Sequence, residues 1–255
     1  MISFVGAGPG APDLLTLRGR DRLGAADVVV WASSLVPEAV LGHARTGAEV
    51  HDSAAMTLEE VLGVYAAHPA DASIVRLHSG DPSVYGAVQE QIDWCRHNGR
   101  AFEIVPGVSS LGAAAAAVGR ELTVPEVSQS VVLTRLPGRT RASMPARESV
   151  RGFAAHGATM AVFLSGARPH HLQEELLGPA SAYTAGTPAV VVARASWPDQ
   201  RVVTTAVGRL ADGVAATGAR RTVLVLVGDA LAGAAPRSRL YSPDFAHGFR
   251  RRSEA

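Results

Sequence analysis

Ser73-Ile74-Val75-Arg76-Leu77-His78-Ser79-Gly80-Asp81-Pro82-Ser83-Val84-Tyr85-Gly86 is the stretch from which the fold is read. Ile74, Arg76 and His78 alternate with Val75 and Leu77, which predicts a short strand with two faces. At Ser79-Gly80-Asp81-Pro82 the strand stops: the glycine admits backbone angles closed to other residues, and the proline cannot continue sheet pairing. Val84, Val88, Ile92 and Cys95 then recur at helical spacing as one apolar stripe. In open α/β sheets ligands lie just outside the carboxyl ends of strands, so this turn is a candidate site. A lone Gly-Asp-Pro turn reads equally well as structural, and its neighbours in the chain decide its weight.

Working outward, residues 2–5 predict a strand that runs into Gly6-Ala7-Gly8-Pro9-Gly10-Ala11-Pro12. Leu14, Leu15, Leu17 and Leu23 predict a helix, with Asp13 placed to cap it. A strand at 28–31, a helix at 37–44 and a short strand at 49–51 follow. Thr57-Leu58-Glu59-Glu60 is a capping box ahead of Leu58, Val61, Leu62 and Tyr65 at helical spacing. Residues 102–105 predict another strand, which enters Pro106-Gly107-Val108-Ser109-Ser110 and an alanine-rich helix over 111–118. Strands alternating with helices imply a mostly parallel sheet.

Residues 121–129 carry no periodic pattern and read as a linker. Beyond them strands are expected at 131–134, 160–164, 189–193, 201–205 and 223–227, and helices at 148–156, 169–177 and 207–217. The strands at 189–193 and 201–205 have only Arg194-Ala195-Ser196-Trp197-Pro198-Asp199-Gln200 between them, so this second sheet is mixed. The expected fold is therefore α/β, with an N-terminal domain over 1–120 and the linker at 121–129. A C-terminal domain over 130–235 and a tail over 236–255 complete it.

The totals exclude several classes. The 255 residues are 47% hydrophobic and 18% charged, the profile of a soluble, well-cored protein. No apolar run approaches the roughly 20 residues that span a bilayer, so no membrane role is expected. The N-terminus enters a strand without a basic segment and does not read as a signal peptide. Cys95 is the only cysteine. That excludes an internal disulfide or a multi-cysteine metal site and suits a reducing cytoplasm. A net charge of +1 gives no general field for nucleic acid. Arg250-Arg251-Arg252 reads as a solvated tail. Arg135, Arg139 and Arg141, beside Pro137-Gly138 after a strand, read either as a solvated loop or as a place to meet an acidic ligand.

Gly6, Gly8 and Ala11 formally satisfy a dinucleotide-binding pattern. Pro9 and Pro12, however, remove backbone N–H groups that a pyrophosphate would need, and Asp27 precedes its strand where the ribose-binding acid should follow it. The loop reads as a place of close approach by a ligand, or as a tight structural turn. Scattered histidines give no metal set, and no Gly-x-Ser-x-Gly elbow supports hydrolysis. What remains is a small-molecule site at strand ends, rich in backbone and poor in acid–base groups.

Together these motifs resemble the tetrapyrrole methylases, the S-adenosylmethionine (SAM)-dependent enzymes of corrin and sirohaem synthesis. The resemblance runs through Val5-Gly6-Ala7-Gly8-Pro9-Gly10, Gly80-Asp81-Pro82 with Tyr85-Gly86, and Val105-Pro106-Gly107-Val108-Ser109-Ser110. The stretches Asp52-Ser53-Ala54-Ala55-Met56, Pro125-Glu126-Val127-Ser128-Gln129, Arg194-Ala195-Ser196-Trp197-Pro198-Asp199 and Leu240-Tyr241-Ser242-Pro243-Asp244-Phe245 are similar to the cobalamin branch of that family.

The resemblance implies two α/β domains with SAM in a cleft between them, S-adenosylhomocysteine as product, a tetrapyrrole (precorrin) substrate and a homodimer. Carried over by position, the cofactor contacts are Pro9, Gly80, Asp81, Val84, Ser109, Ser110, Leu164, Ala195 and Thr222. Ala11 departs from the pattern, where relatives carry aspartate. The substrate's acetates and propionates need cations, for which Arg18, Arg135, Arg139 and Arg141 are the candidates, because guanidinium matches carboxylate in a fork. No metal is expected. Uroporphyrinogen III methylation, a protein-methylating relative and a non-catalytic NAD-binding regulator are the competing readings.

Overall fold

The computed structural model describes residues 1–138, 141–145 and 147–251. By their contacts the residues form two compact units, Met1–Ala117 with Arg194–Gln200, and Val118–Ala193 with Arg201–Ala255.

The first unit is built on β1 (Ile2–Gly6), β2 (Val28–Trp31), β3 (Glu49–Asp52), β4 (Ile74–His78) and β5 (Phe102–Val105). Their order is β3-β2-β4-β1-β5 and every pairing is parallel. The alternation in β4 sets the two faces. Val75 and Leu77 join Val5, Val29 and Leu23 of α1 (Leu17–Gly24). Ile74 faces the other way with Phe4, Tyr65 of α2 (Leu58–Ala67), and Ile92 and Cys95 of α3 (Gln89–His97). A slip of one residue would put Arg76 and His78 into the α1 face, so the pattern holds the register.

Neighbouring β1 and β4 therefore send their helices to opposite faces, which makes the crevice at their carboxyl ends the switch point of this sheet. Gly6 pairs with His78 and Val5 with Val105, so the loops after β1, β4 and β5 leave at one level.

Several local expectations are corrected. Thr16, not Asp13, caps α1, its side chain accepting the Gly19 N–H at 3.1 Å; Asp13 lies in a 3-10 turn over Pro12–Leu14. Residues 37–44 contain a 3-10 helix, Glu38–His43, and no α-helix. α3 starts at Gln89, leaving Val84 outside it, because Tyr85 (φ 56°) and Ala87 (φ 47°) have left-handed backbone that a helix cannot contain. The expected capping box at Thr57 and Glu60 is present.

α4 (Ser110–Val118) closes the first run of elements. The second unit carries β6 (Val131–Arg135), α5 (Val150–Ala154), β7 (Thr159–Phe163), α6 (Pro169–Leu176), β8 (Pro188–Ala193), β9 (Arg201–Ala206), α7 (Leu210–Ala216) and β10 (Val223–Val227). The order is β6-β7-β10-β8-β9, with only β6 and β7 parallel, the mixed sheet expected. One helix-covered face gathers Val150, Ala154, Leu172, Leu176, Leu210 and Val214 over Val162, Val191 and Val225. α5 is shorter than expected, and Val207–Arg209 forms a 3-10 turn ahead of α7. Residues 121–129 are bound into this unit, because Ser128 Oγ accepts the Thr159 N–H at 3.0 Å and Thr159 Oγ1 donates to the Leu122 carbonyl at 2.8 Å. No helix among the described residues is long and apolar enough to cross a membrane.

Candidate active site

Three loops meet at the carboxyl ends of β1, β4 and β5. Gly8 and Gly80 form an isolated bridge: the Gly80 N–H donates to the Gly8 carbonyl at 2.8 Å and the Gly8 N–H to the Gly80 carbonyl at 3.3 Å. Both have positive φ, 78° and 66°, which explains the residue type. Gly6 and Gly107 approach so closely that a Cβ on Gly6 would sit 2.5 Å from the Gly107 Cα. Close packing of one loop on the next therefore accounts for these glycines, and no phosphate cradle is required.

Asp81 ties the second loop to the third. Its Oδ1 accepts the Ser83 N–H and its Oδ2 the Gly107 N–H, both at 2.8 Å. Gly80 lies against the start of α4, where an added Cβ would be 3.6 Å from the Ser110 nitrogen and 3.9 Å from the Ser109 Cα. Gly80, Asp81, Ser109 and Ser110 are thus brought together, with Val84 one turn beyond them, its N–H on the Asp81 carbonyl at 3.3 Å.

Arg194–Gln200 completes this side of the first unit. Trp197 Nε1 donates to the Pro9 carbonyl at 2.9 Å, and Ser196 Oγ accepts the Ala11 N–H at 3.0 Å. Arg194 lies over the Trp197 ring, 5.5 Å from its centroid, and pairs with Asp199. Buried Ala195 sits between Arg194 (φ 51°) and Ser196 (φ 65°), two left-handed non-glycine residues. Such backbone is costly and concentrates at functional sites. Pro9 and Ala195 are therefore held beside one another through Trp197 and Ser196. Sequence reasoning quoted the motif but missed this role of Trp197.

In the second unit Leu164 follows β7 and Thr222 precedes β10, both with left-handed backbone (φ 54° and 52°). The antiparallel register that matches Val162 to Val225 places them at one end of the sheet, and Arg135, matched to Phe163, ends β6 at that same edge. Leu164 is 67% exposed. Arg135 donates to Ser143 Oγ at 3.0 Å. Arg141 opens a short 3-10 turn, Arg141–Ser143, while Arg139 lies outside the described residues. Arg18 is exposed on α1, within the field of Glu103, whose ion-pair partner is Arg22.

Beneath the β4 turn lies a buried polar set that the sequence reading did not single out, although the alternation already placed Arg76 and His78 on one face. Arg76 Nη1 donates to Ser53 Oγ at 2.6 Å, and the Ser53 hydroxyl donates in turn to the Trp31 carbonyl at 2.8 Å. Burial, then the Arg76 charge, push the His78 imidazole down to about 3, so it is neutral at pH 7. Tyr65 donates its phenol proton to Gln91 Oε1 at 2.7 Å, and burial pushes that phenol's pKa up.

The family model for the tetrapyrrole (corrin/porphyrin) methylases matches residues 1–211. The precorrin-4 C(11)-methyltransferase of Pseudomonas aeruginosa is 44% identical over 98% of this chain and 98% of its own. The X-ray structure of a cobalt precorrin-4 methyltransferase, a cobalamin biosynthetic enzyme, is 41% identical, covers 91% of this chain and 96% of its own, and superposes with a TM-score of 0.86. The uroporphyrin-III C-methyltransferase of Thermus thermophilus complexed with S-adenosylhomocysteine is 29% identical, covers 90% and 98%, and has a TM-score of 0.74. With the family model spanning residues 1–211 and a relative 44% identical over 98% of both chains, the chain belongs to the tetrapyrrole methylases, a family of SAM-dependent methyltransferases.

Proposed function

We propose that this enzyme methylates C11 of precorrin-4, giving precorrin-5 in cobalamin biosynthesis, with SAM as methyl donor. The observation that carries the reading is the 44% identity to a precorrin-4 C(11)-methyltransferase over 98% of both chains. SAM is assigned to the carboxyl ends of β1, β4 and β5, with Pro9, Gly80, Asp81, Val84, Ser109, Ser110 and Ala195 as its contacts. Leu164 and Thr222 are the second unit's candidate contacts. The fit rests on the loops themselves: Pro9 and Pro12 withhold N–H groups from a pyrophosphate, while the Gly8–Gly80 bridge and the Gly6–Gly107 approach gather the three loops at the strand ends, where ligands of open α/β sheets lie.

SAM supplies a methyl group on a positively charged sulfur; the C11 electron pair forms the new C–C bond as the S–C bond breaks. The chain's task is to position. Asp81 holds the β4 and β5 loops in fixed relation through two backbone N–H groups, and Trp197 and Ser196 hold the β1 loop. Such preorganisation can lower a barrier by up to about 7–11 kcal/mol. Charge in this step is dispersed and not created, so a site poor in acid–base groups suits it. Arg135, with Arg18, Arg139 and Arg141 as further candidates, is assigned to the substrate's carboxylates. The reading includes a cytoplasmic homodimer, which sedimentation analysis of the purified protein checks.

The experiment is incubation with precorrin-4, and separately with its cobalt form, in the presence of methyl-labelled SAM. A product heavier by one methyl group, with the label at C11 by NMR, supports the proposal, and the form that turns over assigns the metal state. Labelling at another ring carbon, or turnover of uroporphyrinogen III alone, would sink it.

A further inference from the structure

The turn after β4 is bent into an unfavourable shape and held there from below. Tyr85 and Ala87 both have left-handed backbone, φ 56° and 47°, and they flank Gly86, where any Cβ would run into the Pro82 carbonyl. Left-handed non-glycine residues spaced this closely are uncommon and persist only where the surroundings over-determine them.

Those surroundings are visible. Gln91, buried at 4% exposure at the start of α3, donates from Nε2 to the Ala87 carbonyl at 3.0 Å. Its Oε1 in turn accepts from the Tyr65 phenol of α2 at 2.7 Å, and Tyr65 is wholly buried. A leucine would fill the place of Gln91 as well, but it would leave an inward carbonyl and a phenol without partners. α2 and α3 thus each contribute one buried polar side chain to a relay that ends on the Ala87 carbonyl.

We propose that Tyr65 and Gln91 are positioning residues: a buried clamp that keeps Tyr85 and Ala87 left-handed and so fixes the Asp81–Val84 edge against the cofactor. The inference rests on the reading above that this turn binds SAM. Affinity for SAM then depends on backbone conformation set by side chains that never touch it.

The test is calorimetric titration with S-adenosylhomocysteine, alongside thermal unfolding and the Michaelis constants for SAM and tetrapyrrole. Gln91→Leu is expected to raise the Kd about tenfold, the net worth of a buried hydrogen bond, and Tyr65→Phe, which keeps its volume, about threefold. The KM for SAM should follow the Kd while that for the tetrapyrrole stays within about twofold. Adding Ala87→Gly should recover most of the loss in Gln91→Leu, because glycine adopts positive φ without help. Unchanged affinity in Gln91→Leu, or a loss that Ala87→Gly does not relieve, overturns the clamp and leaves Gln91 a packing residue. If the unmodified protein binds no S-adenosylhomocysteine, the SAM assignment fails first. Amide exchange over residues 83–88 in the same variants then judges the clamp, with unchanged protection counting against it.

Discussion

The indole of Trp197 occupies the place that a side chain on residue 10 would need: a Cβ built on Gly10 runs into the Trp197 ring, whose Nε1 already donates to the Pro9 carbonyl at 2.9 Å. This glycine answers to a tryptophan far along the chain.

Gly10→Ala should therefore act through overpacking, lowering stability by about 1–3 kcal/mol in urea unfolding. Trp197→Ala in the same chain should return part of that loss. Strictly additive losses would show that the two residues do not share the space.

Asp81→Ala removes the acceptor of the Ser83 and Gly107 N–H groups. Hydrogen bonds to a charged group are worth about 1.5–3 kcal/mol, so S-adenosylhomocysteine binding should weaken about tenfold or more. Calorimetry decides, and a wild-type Kd would remove Asp81 from the cofactor site.

Arg135→Ala should weaken the tetrapyrrole and spare the cofactor. Loss of one charge-assisted contact predicts a rise of about tenfold in the KM for substrate with SAM affinity intact. Equal losses for both ligands would argue that Arg135 supports the end of β6 instead.

His78 gives a pH signature with a defined sign. Burial and Arg76 lower its pKa from 6.5 to about 3, against smaller opposing effects of the Gly86 backbone and Asp81. The unfolded chain binds the proton more readily, so His78 costs no stability above about pH 6.5, and stability drains away as pH falls from there toward 3, at about 1.4 kcal/mol per unit. Between about pH 7.5 and about pH 5 the protein should lose about 2 kcal/mol more than His78→Asn in urea unfolding. Equal losses would mean that the ring is free to take up a proton in the folded state.

Much of the architecture was legible in local pattern. The alternation of Ile74, Arg76 and His78 against Val75 and Leu77 predicted β4 and its two faces, because one face must be apolar for each helix layer it meets. Thr57 and Glu60 announced α2, since a capping box is complete within four residues. The shorter or displaced helices were misread where tertiary contacts override periodicity. Val84 and Val88 continue the stripe of α3, yet Tyr85 and Ala87 are left-handed, with the buried Gln91 bonded to the Ala87 carbonyl.

The same division holds for the site. Amino-acid sequence alone determined the strand–turn–helix order, the mixed second sheet and the glycine loops at strand ends, because these follow from side-chain period and from where glycine and proline stand. Only the tertiary structure decided why Gly10 must be glycine, which backbone N–H groups Asp81 serves, and what holds Tyr85 and Ala87 in strained backbone. Trp197, Gly107 and Tyr65 lie on other segments, and a contact between distant segments leaves no period in the chain; it exists only once packing has brought them together.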